Sequence, residues 1–232
     1  MIGVFSLPSP SHYVGWFGKL PSVGDFAGKG MPQSVQETVH AWMSSGMAAL
    51  VRTWSEEWRD AYFVSPVWHF VVNADIWDKF ALIGCIAPSI DRVGRCSPLI
   101  VLRSFDKAEV RRVLPPESRW LYRVDAAIRR IIGECVPVDG VDDILAQLMA
   151  RESAPAADTG ILDGLGIDER AVPPRKAWFS WPDLPALFGE RSTRSFWWAE
   201  PSPRLPPRQL IHRGIPDEEL FCLLMDGGMS SD

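Results

Sequence analysis

Three short apolar runs joined by brief connections constrain this chain more than any other feature. Residues 67–72 (VWHFVV), 80–87 (FALIGCIA) and 99–102 (LIVL) are rich in aliphatic and β-branched side chains, and all but the first are continuously apolar. Runs of this kind are strands buried on both faces. The connections, residues 73–79 and 88–98, are too short for a parallel crossover, which needs about a dozen residues or more, so neighbouring strands must run antiparallel. Residues 67–72 and 80–87 are therefore predicted to form a hairpin. The second connection is anomalous. Within GCIAPSIDRVGRCSPL (Gly84–Leu99) it carries Asp91, Arg92 and Arg95 between interior strands, bracketed by Pro88 and Pro98 and eased by Gly94. A charge so placed is costly unless paired.

The rest of the chain surrounds that sheet. Residues 13–18 read as a strand entering a loop, LPSVGDF, in which Gly24 gives backbone freedom and Lys19 and Asp25 offer opposite charges; the expectation is a Lys19–Asp25 pair. The phosphate-loop pattern GxxxxGK[ST] is absent. Pro32 opens a helix whose inner face is Val35, Val39, Trp42, Met43, Met47 and Leu50, and a second short helix over residues 54–63 turns its aromatic side chains inward. From Pro116 a further helix places Trp120, Leu121, Val124, Ile128, Ile131 and Ile132 on one face, until Val136 and Pro137 stop it. Asp139 is expected to cap the next helix, with Val141, Ile144, Leu145 and Leu148 inward. Residues 152–175 read as a mobile surface loop, and residues 1–12 as a lead segment. Residues 176–181 and 192–199 are aromatic strand candidates, and Pro216 begins a last helix through Leu224. One domain over residues 1–232 is expected: α/β, with a mixed, largely antiparallel central sheet covered by helices.

Composition narrows the functional classes. A net charge of −5 and no long basic run argue against a general nucleic-acid binder. No apolar segment reaches the length of a membrane span, and no secretory leader is evident, which predicts a cytoplasmic protein. Cys85, Cys96, Cys135 and Cys222 show no CxxC pairing; all but Cys96 lie in apolar segments and read as reduced core thiols, with no zinc site. The four histidines are scattered, His69 reading as a packed or hydrogen-bonded strand residue and His40 as a surface residue. No GxSxG elbow is present. The 11 tryptophans suit either a large core or a contact surface.

Four separated blocks carry a resemblance. GWFGKLPSVGDF (Gly15–Phe26), Trp58 with PVWHF (Pro66–Phe70), APSIDRVGR (Ala87–Arg95) followed by Pro98 and Leu99, and SFWW (Ser195–Trp198), in that order, resemble TagF, the accessory protein of bacterial type VI secretion gene clusters. The resemblance implies a three-layer α/β/α sandwich and a cytoplasmic, non-enzymatic repressor. Such a repressor acts after translation and binds the forkhead-associated scaffold of the apparatus. It implies no catalytic residue, cofactor, metal, nucleic acid or membrane insertion, and leaves self-association open. Candidate structural or partner-binding residues are Trp16, Lys19, Gly24, Asp25, Asp91, Arg92, Gly94, Arg95, Trp197 and Trp198. The competing reading is a small hydrolase or anion-binding enzyme using the Lys19/Asp25 and Asp91/Arg95 loops.

Overall fold

A computed structural model describes residues 12–106, 119–152, 192–201 and 205–228. The pairing forced by the short connections appears as expected. Strands β3 (Trp68–Val72), β4 (Ala81–Ala87) and β5 (Leu99–Phe105) lie side by side at the centre of one sheet. Around them stand β1 (Val14–Lys19), β2 (Phe26–Lys29), β6 (Arg194–Ala199) and β7 (Arg208–Arg213), giving seven strands in the order β2-β1-β5-β4-β3-β6-β7. Every described ladder is antiparallel, so the expectation of a mixed sheet is corrected. Burial follows position in the sheet. Central β4 is buried at every residue, whereas edge strand β7 alternates half-buried and exposed, as a strand covered on one face does.

Alternation sorts the side chains onto two faces. Trp16, Val71, Ile83, Cys85, Leu99, Val101, Phe196 and Trp198 join a core with α3 (Arg119–Gly133) and α4 (Val138–Glu152). Phe17, Trp68, Phe70, Leu82, Ile100, Leu102 and Trp197 join another with α1 (Gln33–Trp54), α2 (Trp58–Val64) and α5 (Glu218–Met225). The fold class is therefore α/β, as expected.

Helix faces follow the 3.6-residue period closely. Val35, Val39, Trp42, Met43 and Leu50 of α1 are buried, with Met47 half-buried, and on α3 Trp120, Leu121, Val124, Ile128 and Ile131 are buried. Helix starts differ from the sequence expectation by a residue or two. Helix α4 begins at Val138, so Asp139 sits in its first turn rather than capping it; Pro137, with its fixed φ, supplies the carbonyl that Val141 N–H reaches at 3.1 Å. In α5 the cap is Asp217, whose carboxylate accepts the Leu220 N–H at 2.9 Å, and Pro216 lies just outside. In α2, Tyr62 is buried but Phe63 is 47% exposed, so the aromatics of this helix do not all turn inward. The expected strand at 176–181, the loop at 152–175, the lead segment and Pro116 lie outside the described residues, apart from His12 and Glu152.

Gly46 lets α1 approach α5 closely. A Cβ there would overlap the ring of Phe221, which is fully buried and has nowhere to move. Gly46→Ala is expected to destabilise by about 2 kcal/mol through overpacking, read from the urea midpoint; an unchanged midpoint would mean that the two helices separate freely.

Candidate functional site

The charged connection is a hairpin tip folded around one carboxylate. The order β1-β5-β4 puts the end of β1, where Gly18 is paired with Leu99, at the same end of the sheet as the β4–β5 connection. Lys19 therefore meets Asp91. Lys19 Nζ donates to Asp91 Oδ2 at 2.6 Å, with side-chain exposures of only 7% and 0%. Arg95 Nε donates to the same oxygen at 2.7 Å, and Asp91 Oδ1 accepts the backbone N–H groups of Val93 at 3.0 Å and Arg95 at 2.9 Å. Four donors thus satisfy the carboxylate. Burial alone would raise the Asp91 carboxyl; the hydrogen bond from Lys19, those from the Arg95 backbone and guanidinium, and the Lys19 charge outweigh it, holding the group well below the ordinary carboxylate range.

The chain around Asp91 is built to the same end. Gly94 N–H donates to Asp91 O at 2.9 Å, and Gly94 itself has φ of 87°, a left-handed conformation that a side chain would strain. Across the gap, Arg92 N–H reaches Val23 O at 2.8 Å, and Arg95 Nη2 donates to Gly24 O. Ser89 Oγ donates to Lys19 O at 2.7 Å, while the buried Tyr62 hydroxyl accepts Ser89 N–H at 2.8 Å and donates to Ser89 O at 2.9 Å. The two loops are stitched into one unit.

The candidate residues separate into groups. Lys19, Gly24, Asp91, Gly94 and Arg95 come together as described, with the backbone of Arg92. Asp25 does not join them. It is exposed, its carboxylate accepts the adjacent Phe26 N–H at 2.8 Å, and the expected Lys19–Asp25 pair is replaced by Lys19–Asp91 because the β1–β5 register aims Lys19 across the sheet end. Trp16, Trp197 and Trp198 are 1%, 0% and 5% exposed, so as described they are core residues and not a contact surface. Trp16 Nε1 donates to Asp142 Oδ1 at 3.0 Å, and Trp197 packs against Phe70 with ring centroids 4.9 Å apart. Most of the other described tryptophans are buried too; only Trp54 and Trp58 are half-buried.

A second polar cluster lies on the α3 side. His69, 1% exposed, has Nε2 3.0 Å from Asp125 Oδ2, and Arg129 Nε donates to Asp125 Oδ1. His69 is thus the hydrogen-bonded strand residue that its setting predicts. Its partner was detectable in the sequence, because Asp125 falls at helical spacing between the buried Leu121 and Ile128. Nearby, burial and then the charge of Asp125 push the Glu200 carboxyl up to about 7. A carboxyl raised above its ordinary 4.5 binds more protons folded than unfolded between these values, so the contribution of Glu200 to stability is full below about pH 4.5 and declines toward pH 7. Glu200→Gln is expected to flatten that decline in melting temperature; an identical pH profile would mean that Glu200 is well solvated.

Not all the thiols are core residues. Cys85 is buried, but Cys135 is exposed at the turn after α3, with φ of 52°, and Cys96 and Cys222 are half-buried. Among the described residues no group of three or more His, Cys, Asp or Glu side chains is placed to hold a metal ion, and no helix is long and apolar enough to cross a membrane.

The β1 loop and the Asp91 hairpin, two of the four blocks that carried the resemblance, prove to be one structural unit. Residues 15–148 match the family described as TagF N-terminal domain, type VI secretion system-associated. The chain belongs to the TagF family. Among solved structures, the crystal structure of PA0076 from Pseudomonas aeruginosa PAO1 is similar, with a TM-score of 0.70 and 28% identity over 92% of this chain and 94% of that one. None of the curated proteins matches. The TagF match spans β1 through most of α4, and so contains the whole Lys19–Asp91–Arg95 network.

Proposed function

We propose that this TagF-family chain is a non-enzymatic, cytoplasmic regulator that restrains a bacterial type VI secretion system after translation, by binding a component such as its forkhead-associated scaffold protein. The observation that carries this reading is the family match over residues 15–148, which ties the chain to type VI secretion. The site geometry is compatible with a binding role. Lys19 and Asp91, which a hydrolase or anion-binding enzyme would need free, are committed to each other, and Asp25 stands apart from both. On this reading the scaffold is a three-layer α/β/α sandwich whose hairpin tip is made rigid from within, presenting a preorganised surface to a partner.

Deleting the gene in its native bacterium tests the reading. Fluorescently tagged sheaths are expected to assemble more often in the deletion strain, with transcript levels of the secretion genes unchanged. Fewer sheaths, or a change that follows transcript levels, would overturn it.

A further inference from the structure

The hairpin tip carries outward-facing side chains that the buried ion pair does not use. Arg59 on α2 is exposed; its guanidinium lies 5.6 Å from the Trp58 ring and 5.7 Å from the Phe63 ring, and Nη2 is 3.5 Å from Gly94 O. Helix α2 and the tip therefore share one surface. It bears two of the large apolar residues most exposed among those described, Phe63 at 47% and Val93 at 67%. Arg92 is also exposed, with Nη2 beside Gly24, and Arg95 keeps 58% of its side chain in solvent although Nε and Nη2 bind inward.

This surface presents several guanidinium groups to solvent. Three cations, Arg59, Arg92 and Arg95, are exposed here, whereas Lys19 is buried against Asp91 and adds no charge to the surface. Glu56, Glu57 and Asp60 neighbour Arg59 in sequence and Asp25 neighbours Gly24, but among the described residues none of them forms an ion pair with Arg59 or Arg92. Arg59 is held by aromatic rings and Arg95 by its bonds to Asp91 and Gly24, so both lose little side-chain freedom on binding. Planar guanidinium forks match carboxylates two oxygens at a time. Exposed Phe63 and Val93 alongside add apolar contact.

We infer that the surface formed by Arg59, Phe63, Arg92, Val93 and Arg95 docks a carboxylate-rich protein segment that carries an apolar anchor. This rests on the regulatory reading above and assigns its binding face. A nucleic acid fits less well, because the positive area is small, interrupted by apolar side chains and set on an acidic chain.

The test uses the purified full-length chain and the purified forkhead-associated scaffold protein of the same secretion system. Arg92→Glu and Val93→Asp change exposed residues and are checked for unaltered melting; Ile215→Asp, at a 66% exposed apolar residue after β7, is the remote control. Each tip variant is expected to weaken binding at least tenfold while Ile215→Asp stays within twofold, and wild-type affinity is expected to fall as salt rises from 50 to 300 mM, roughly as screening of exposed charges requires. Tip variants that bind like wild type overturn the docking surface while leaving the regulator reading intact. If wild type fails to bind this scaffold, that choice of partner fails. The surface is then read in the native cell with a photo-crosslinker at position 93 or 215. Capture of an acidic segment of another secretion component from position 93 alone supports it. Capture of nucleic acid, capture from position 215 alone, or no secretion component from either overturns it.

Discussion

Asp91→Ala is expected to destabilise the protein by about 3–5 kcal/mol, the usual cost of removing one partner from a buried ion pair. Lys19 Nζ, with its side chain 7% exposed, would lose the carboxylate 2.6 Å away and keep only the Phe26 ring, 4.6 Å from the ammonium, as a described contact. The N–H groups of Val93 and Arg95 would lose their shared acceptor as well. Chemical denaturation measures the loss. The double variant Lys19→Met/Asp91→Leu is expected to recover part of it, because no buried charge is left unpaired, while the Val93 and Arg95 N–H groups still lack their acceptor. Asp25→Ala, at an exposed carboxylate outside the network, should stay within about 0.5 kcal/mol of wild type. A loss below 1 kcal/mol for Asp91→Ala would show that water reaches Lys19.

The same residue sets an acid limit. Its folded carboxyl is held below its ordinary value, so its contribution is present above the unfolded value, near pH 4, and disappears as pH falls through the folded one. Wild type and Asp91→Ala should therefore converge progressively in stability as pH drops from about 4 toward the lower folded value, below which Asp91 is neutral in the folded chain as well.

Trp197→Ala is expected to cost about 3–5 kcal/mol, the range for emptying a large aromatic from a packed interior. Trp197 is fully buried on β6, with ring centroids 4.9 Å from Phe70, 5.7 Å from Trp42 and 6.1 Å from Trp77, and its Nε1 donates to Ser195 Oγ at 2.9 Å. Removing it opens a cavity where β3, β6 and α1 meet. Trp197→Phe should restore part of the loss, leaving the indole volume and the Ser195 bond unmet. If Trp197→Ala weakened partner binding without lowering stability, its side chain would have to be a surface residue after all.

Much of the architecture was legible because it follows from local pattern. Continuous apolar runs with short connections admit few arrangements other than adjacent antiparallel strands, and residues 67–72, 80–87 and 99–102 form them. The periodic faces of α1 and α3 were equally plain, since burying one stripe of a helix is a local requirement. Helix caps were less so, because Asp139 and Pro137, or Asp217 and Pro216, both suit the first turn and a single residue of shift decides between them.

The sequence alone determined that the charges at 91, 92 and 95 sit at a turn between buried strands and must find partners. It also determined the helical stripes and, through four ordered blocks, the family. Only the tertiary structure decided who the partners are. Lys19 has Asp25 six positions away and Asp91 seventy-two away, yet it pairs with the distant one. Placing β1 beside β5 buries Trp16 and Phe17 on opposite faces of the sheet, and that register carries Lys19 to the hairpin tip. The tryptophans turned on the same global choice, since a ring is a contact surface or a core according to whether a helix covers its face, and local spacing does not specify the cover. Charges and aromatic rings are placed by the sum of burial over the whole sheet, and that sum exists only once distant strands have paired.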